Sequence, residues 1–212
     1  SYKGAIGNIL FSHEFYETDT SRDFVRGYQL QVCRQSGPIS TALGGLLAHR
    51  VPWGSNHHNV FAERFSHMAL IGIMGEDLPE PVNDVTLDPV LTDSHGVPAP
   101  RVRYRLSDNS VKMLAHGVER AKDVLEAAGA KQVLSTSPMR SSGWHLLGTC
   151  RMGDDPQTSV ADQWGRCHDV PNLFIVDGSL WVTSAAVNPT TTIQALALRT
   201  ADYLARNKFA SN

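Results

Sequence analysis

The residues best suited to chemistry in this chain lie in its last third. His145 follows a tryptophan and precedes two leucines, Asp177 is followed by a glycine, and Asn188 is followed by a proline. A neutral imidazole titrates near neutral pH, so His145 could remove a proton from a hydroxyl group. Taken singly, the three residues have simpler interpretations as a hydrogen-bonded core histidine, an ordinary turn and a helix cap.

One strand and one helix are predicted to position these residues. The apolar run 173–176 is typical of a short buried strand that ends at the turn formed by Asp177 and Gly178. Asn188 occupies an N-cap position and Pro189 the first position of a helix. The apolar stripe of this helix comprises Ile193, Leu196, Ala197 and Leu204. Free N–H groups and the helix dipole favour negative charge at such a helix start.

Upstream, the patterning predicts antiparallel strands and further helices. Strands are predicted over 9–11, 28–32, 83–89 and 101–106, the last two paired through a turn at 93–96. The run 65–74 fits either a strand or a helix. A short helix over 40–49 would be capped by Ser40 or Thr41.

A longer helix is predicted from a cap within 107–109 to Gly129, covering one face of the sheet. Its predicted apolar face comprises Val111, Leu114, Ala115, Val118, Ala121, Val124 and Leu125.

Composition excludes several classes of function. With 19 basic and 21 acidic residues and no basic block, the chain lacks the charge that nucleic acid binding requires. Three widely spaced cysteines predict reduced thiols rather than a disulfide framework. No apolar run approaches the roughly 20 residues that span a bilayer. The composition is compatible with either a cytoplasmic or a periplasmic location.

The remaining histidines do not predict a metal site. His57, His58, His67 and His95 lack the spacing of zinc ligands, and 56–59 is interpreted as a polar surface loop. The four tryptophans, Trp53, Trp144, Trp164 and Trp181, are interpreted as core residues or pocket walls.

Several sequence blocks follow one another in fixed order over about 60 residues, a far more specific signal than a lone motif. They are His145-Leu-Leu-Gly-Thr-Cys-Arg-Met-Gly, Ser159-Val-Ala-Asp, Val170-Pro-Asn-Leu-Phe, Val176-Asp-Gly-Ser and Asn188-Pro-Thr. This series closely resembles the C-terminal region of the glucose-methanol-choline (GMC) oxidoreductase family. Upstream, 83–89 with Gly96-Val-Pro is similar to the substrate-domain sheet of the family's bacterial sugar and polyol dehydrogenases.

The resemblance implies an FAD-dependent enzyme that oxidises an alcohol or sugar hydroxyl to a carbonyl by hydride transfer to the flavin. By position, His145 matches the family's catalytic histidine, here the general base, and Asn188 matches the position that binds the substrate oxygen. The implied cofactor-binding residues are Asp177, Gly178, Asn188, Pro189 and Thr190. Reduced flavin is anionic, which suits the start of a helix.

The expected fold is α+β, within an enzyme that is α/β overall. Residues 1–137 would form most of an antiparallel substrate-binding domain covered by helices, and 138–212 the C-terminal return segment of the FAD-binding domain. No Gly-x-Gly-x-x-Gly turn occurs in the sequence, so we expect an N-terminal FAD-binding half as partner and no activity from this chain alone. An electron-acceptor protein is a further expected partner. The alternative is a non-catalytic, stand-alone module that binds a sugar or a protein.

Overall fold

The structure is a computed structural model that describes residues 9–34, 37–43, 51–139 and 143–208. Helices and antiparallel sheets together make the fold α+β, as predicted. The chain forms two units, one made of Ser1–Glu76 with Asp108–Ser142 and the other of Asp77–Ser107 with Gly143–Asn212.

The first unit contains a three-stranded antiparallel sheet. Its strands are β1 (Leu10–Ser12), β2 (Tyr28–Arg34) and β3 (Ala69–Gly75), with β2 in the centre. The two predicted strands of this region are therefore confirmed, and the run 65–74 ends in a strand rather than a helix. The pairing with β2 decides this, because it runs along the whole length of β3 and satisfies the backbone groups that face β2.

The long helix α3 (Asp108–Ala127) packs against β2 and β3, so the sheet that it covers is the three-stranded one. The core between them contains Phe24, Tyr28, Leu30, Met113 and Ala121. Gly129 ends the helix in a left-handed conformation, as predicted.

The predicted apolar face of α3 is wrong in part. Val111 and Val124 are about half exposed, whereas the buried positions are Ser110, Met113, Gly117 and Ala121. Both stripes recur every three or four residues, and the sheet selects the one whose small side chains allow a close approach.

Two short helices complete the described part of the first unit. The helix α1 (Pro38–Leu43) begins before Ser40 and Thr41, so neither residue caps it; the predicted continuation to residue 49 lies outside the described residues. The helix α2 (His57–Arg64) includes residues that the sequence indicated as loop. The ring of His57 stacks on that of Trp53, with centroids 5.3 Å apart.

In the second unit, β4 (Asp84–Thr92) and β5 (Pro98–Arg103) form the predicted antiparallel hairpin. Its turn is held by the carboxylate of Asp93, which accepts hydrogen bonds from the N–H groups of His95 and Val97. Asp84 and Arg103 lie opposite each other and form an ion pair.

The rest of the second unit is mostly irregular up to its last helix. Between 143 and 189 it has isolated bridges and one 3₁₀ turn (Gly178–Leu180), and α4 (Thr190–Lys208) follows. The predicted strand over 173–176 is wrong, because a single bridge joins Phe174 to Arg166 and a strand needs a continuous ladder. Its flanking residues Leu173 and Val176 are about half exposed.

None of the helices in the described residues is both long and apolar enough to cross a bilayer.

Candidate active site

The segment that carries His145 is held beside the Asp-Gly turn by backbone hydrogen bonds. The N–H of Gly148 donates to the carbonyl of Gly178 at 3.1 Å, and Cys150 and Met152 donate to Ser179 and Leu180 at 2.9 and 2.8 Å. These bonds do not depend on side-chain identity, so they leave the side chains of the segment available for other contacts.

Gly178 is the point at which the three predicted site segments meet. A Cβ atom on this buried glycine would lie 2.4 Å from Cδ2 of Leu147 and 3.1 Å from Cδ1 of Ile193. The carbonyl oxygen of Leu146 is 3.4 Å from the same position. Leu146 and Leu147 directly follow His145, and Ile193 lies in the first turn of α4. Gly178 therefore lets the His145 segment and the start of α4 pack together.

The turn predicted at Asp177 is confirmed and takes the form of a 3₁₀ turn. The carboxylate of Asp177 accepts a hydrogen bond from the N–H of Ser179 at 2.8 Å. The hydroxyl of Ser179, followed by its N–H, lowers the pKa of Asp177 below the usual 3.8. The carboxylate is therefore ionised at neutral pH.

The helix α4 begins one residue later than predicted. The N–H of Ile193 donates to the carbonyl of Pro189 at 3.0 Å, which puts Pro189 in the cap position and Thr190 first in the helix. The predicted cap at Asn188 is therefore wrong, since the first helical bond is accepted one residue further on. Within the described residues, the side chain of Asn188, which is exposed, forms no hydrogen bond.

The start of α4 presents unpaired donors. Within the described residues, no hydrogen bond is formed by the N–H groups of Thr190, Thr191 and Thr192, and the first turn carries no acidic residue. Together with the helix dipole, these N–H groups favour an electron-rich ligand.

The side chain of His145 is exposed, and it has no hydrogen bond or ring contact within the part of the chain that is described. Its neighbours Trp144 and Leu146 are also exposed, by 63% and 78%. The interpretation of Trp144 as a core residue is therefore wrong; Trp53, 86% exposed, is likewise outside the core. An exposed imidazole with both ring nitrogens available can act as a base.

The far half of α4 is anchored to the turn around Trp164. The indole of Trp164 stacks on Tyr203 at 4.5 Å and lies under the guanidinium of Arg199 at 4.2 Å. The hydroxyl of Thr200, a buried residue, donates to the carbonyl of Trp164 at 3.0 Å. These contacts fix the helix axis and thus the position of its first turn.

Sequence reasoning missed the role of Gly165 in this turn. Its φ is +76°, and a Cβ there would lie 2.3 Å from the carbonyl oxygen of Ile175. Asp162 precedes it by three residues and accepts the N–H of Trp164 at 2.8 Å. Asp at the first and Gly at the fourth position of a turn is the sequence signal that could have identified it.

Within the described residues, no group of three or more His, Cys, Asp or Glu side chains is arranged to hold a metal ion. Cys33, Cys150 and Cys167 are free thiols.

Comparison with known proteins shows a family match and relatives that share part of their length with this chain. Residues 79–197 match the family model described as GMC oxidoreductase. The chain is 47% identical over 206 residues to 2-methyl-1,2-propanediol dehydrogenase of Mycolicibacterium austroafricanum, covering 97% of this chain and 37% of that protein. It is 37% identical over 141 residues to the fructose dehydrogenase large subunit of Gluconobacter japonicus, covering 66% of this chain and 26% of that protein.

The chain thus spans little more than a third of the length of 2-methyl-1,2-propanediol dehydrogenase. Among solved structures, pyridoxine 4-oxidase from Mesorbium loti is similar with a TM-score of 0.51 and 17% identity. That match covers 84% of this chain and 34% of the oxidase, and it shows a likeness of fold.

Proposed function

Because this chain belongs to the GMC oxidoreductase family, we propose that it is the C-terminal portion of an FAD-dependent enzyme that oxidises an alcohol or sugar hydroxyl to a carbonyl. The enzymes of this family are flavoproteins, and its members similar to this chain include dehydrogenases of alcohols and sugars and a long-chain-alcohol oxidase. The observation that carries the proposal is the meeting of the His145 segment with the start of α4 at Gly178.

The residues of this chain fit a flavin. The unpaired N–H groups at the start of α4 would hold the electron-rich pyrimidine edge of the ring, beside Asn188, Pro189 and Thr190. The ionised carboxylate of Asp177 suits the hydroxyl groups of a ribityl chain, and Gly178 adds no side chain there. When bound, the flavin supplies the two-electron acceptor for the hydride.

In this proposal His145 is the general base. Its imidazole takes the proton of the substrate hydroxyl, which raises the electron density at the neighbouring carbon and favours loss of hydride from it. The amide of Asn188 donates a hydrogen bond to the same oxygen and holds the substrate in place.

The proposed domain assignment rests on the resemblance to the family. Residues 138–212 would form the return segment of the FAD-binding domain and 1–137 most of the substrate-binding domain. The partner is a portion that carries the dinucleotide-binding turn, and turnover requires both.

The proposal is tested in the full-length enzyme by replacing the base. His145→Ala should lower the rate of alcohol-dependent flavin reduction by about 100-fold or more, the scale of general catalysis. Flavin content and thermal stability should be unchanged, because the imidazole is exposed and has no described partner.

His95→Ala is the matched control, since His95 lies in the turn of the β4–β5 hairpin and its side chain is also exposed. A near-normal rate for His145→Ala would remove the imidazole from the mechanism. If the wild-type enzyme is purified without flavin, the proposal that FAD is its cofactor is wrong.

A further inference from the structure

The two segments that carry His145 and Asn188, residues 143–150 and 178–198, contain no fixed charge. Residues 143–150 and 178–198 have no Asp, Glu, Lys or Arg, although such residues make up 19% of the chain. The titratable side chains in these segments are those of His145 and Cys150. Any charged group on a substrate would therefore find no counter-ion in these segments.

Each charged side chain that directly flanks these segments has a hydrogen-bond partner within the protein. Arg151 donates from Nε to the carbonyl of Thr158 at 2.7 Å. Arg199 donates to the carbonyl of Gln163 at 2.8 Å, about two helical turns beyond Ile193. Asp177, as described above, accepts from Ser179.

Large apolar side chains flank the base on both sides instead. Trp144 precedes His145 and Leu146 follows it, and both are well over half exposed. Trp144 forms no ring contact within the described residues, whereas Trp164 stacks on Tyr203 and Arg199. An exposed tryptophan with no partner is typical of a binding surface.

The backbone that follows His145 is anchored at Gly178. Leu147 packs inward on Gly178, and Gly148 is hydrogen-bonded to the carbonyl of the same glycine. The side chains of Trp144 and Leu146, which flank His145 in the sequence, are exposed.

Building on the proposed function, we propose that Trp144 determines substrate specificity: its indole forms an apolar wall beside His145 that selects uncharged alcohols with a hydrocarbon face. Contact with the indole excludes water from the hydrocarbon part of the substrate. A carboxylate or ammonium group in the same place would lose its hydration without gaining a counter-ion from residues 143–150 or 178–198, which disfavours its binding.

The selection against charge is tested with three alcohols that share one reacting CH2OH group and a four-carbon chain. These are 1-butanol, 4-hydroxybutyrate and 4-amino-1-butanol, assayed with the full-length enzyme at neutral pH. The kcat/KM for 1-butanol should exceed that for each charged analogue by about 100-fold or more. Comparable values for the neutral and the charged alcohols would overturn the proposal.

The role of Trp144 is tested by a pair of variants. Trp144→Ala should raise the KM for 1-butanol about tenfold with little change in kcat, since the contact is the same in substrate and transition state. Trp144→Phe should restore most of the affinity, because an aromatic wall is kept. Trp53→Ala, which removes another exposed tryptophan, should leave both constants unchanged.

Two outcomes for Trp144→Ala contradict the proposal. An unchanged KM would show that the indole does not touch the substrate. A loss of flavin or of folded protein, with normal constants in the remaining enzyme, would show that Trp144 packs against another part of the protein.

Failure of the inference differs from failure of the proposed function. If charged and neutral alcohols reduce the flavin equally, the function stands and the specificity is wrong. If no alcohol or sugar reduces the flavin, the function itself is wrong.

Discussion

The sheet of the first unit and the segment 143–189 of the second are stabilised in different ways. In the sheet, β2 is hydrogen-bonded on both edges, and Tyr28 of β2 and Met113 of α3 are almost completely buried where the helix packs on the sheet. The segment 143–189 is stabilised mainly by backbone hydrogen bonds between its turns. It also contains two glycines, Gly165 and Gly178, that leave no room for a Cβ.

The difference is relevant to where the proposed chemistry lies. In the sheet, the side chains of Tyr28 and Leu30 on the central strand are used for packing. In 143–189 the backbone supplies the stability, and His145, Trp144 and Leu146 are left pointing outward. Binding residues on loops held by a fixed framework are common in enzymes.

The largest effect on stability is expected in the core of the first unit. Met113→Ala removes a side chain that is 1% exposed and should lower the free energy of unfolding by about 2–5 kcal/mol. Val111→Ala on the same helix is the control, since its half-exposed side chain should cost about 0.5 kcal/mol or less. Urea denaturation measures both. Equal losses would show that α3 buries a different face.

A smaller effect is expected in the second region, where two glycines can be compared. Gly129 and Gly165 both have positive φ, but a Cβ on Gly129 would meet open space and one on Gly165 would meet the carbonyl of Ile175. Gly129→Ala should cost about 1 kcal/mol from strain alone. Gly165→Ala should cost roughly 1–3 kcal/mol more, because the turn must move.

The activity separates the two glycines further. Displacement of the turn at Gly165 should shift α4 and slow alcohol-dependent flavin reduction, whereas Gly129→Ala should leave the rate unchanged. Should both variants lose equal stability and keep full activity, backbone crowding at Gly165 would not support the site.

The smallest expected effect is on the pH dependence of stability, and it arises from a histidine in the first unit. Burial raises the pKa of Tyr28 to about 12, so its hydroxyl stays protonated and can donate to Nδ1 of His116 at 2.7 Å. Burial, then the guanidinium groups of Arg120 and Arg22, lowers the pKa of His116 below 6.5, against the opposing carboxylate of Asp23. The folded state therefore favours the neutral ring.

The sign follows from proton uptake. As pH falls below about 6.5 the unfolded chain binds a proton at this histidine before the folded chain does, so stability contributed by the neutral ring is present above that pH and decreases below it. The melting temperature should fall more between pH 7.5 and 5.5 in the wild type than in His116→Asn, whose amide oxygen can still accept from Tyr28. An identical pH dependence in both proteins would rule out this histidine as the cause.

Much of the secondary structure was predictable from local patterns. The β4–β5 hairpin was recognisable because Asp93 and Gly96 mark its turn, and Gly129 marked the end of α3. Errors arose where a tertiary partner decides the outcome: Ile175 and its neighbours look like a strand but have one bridge, and Val111 looks like a core residue but lies beside the buried stripe.

The sequence nominated the residues of the candidate site but not their geometry. The motif order pointed to His145, Asp177 and Asn188, because the blocks around them occur together in one family. The position of the first helical bond of α4 could not be read from the sequence, since Asn188 followed by a proline also satisfies the pattern of a cap. The exposure of Trp144 was equally hidden, because a tryptophan suits a core as well as a surface.

The sequence by itself determined the family, the α+β class and the residues that could do chemistry, since these depend on residue type, spacing and order. Only the tertiary structure decided which face of α3 is buried, where α4 starts, and that Gly178 brings the His145 segment to that start. The physical reason is that burial and close approach are properties of pairs of segments distant along the chain, and local propensity carries no information about a partner.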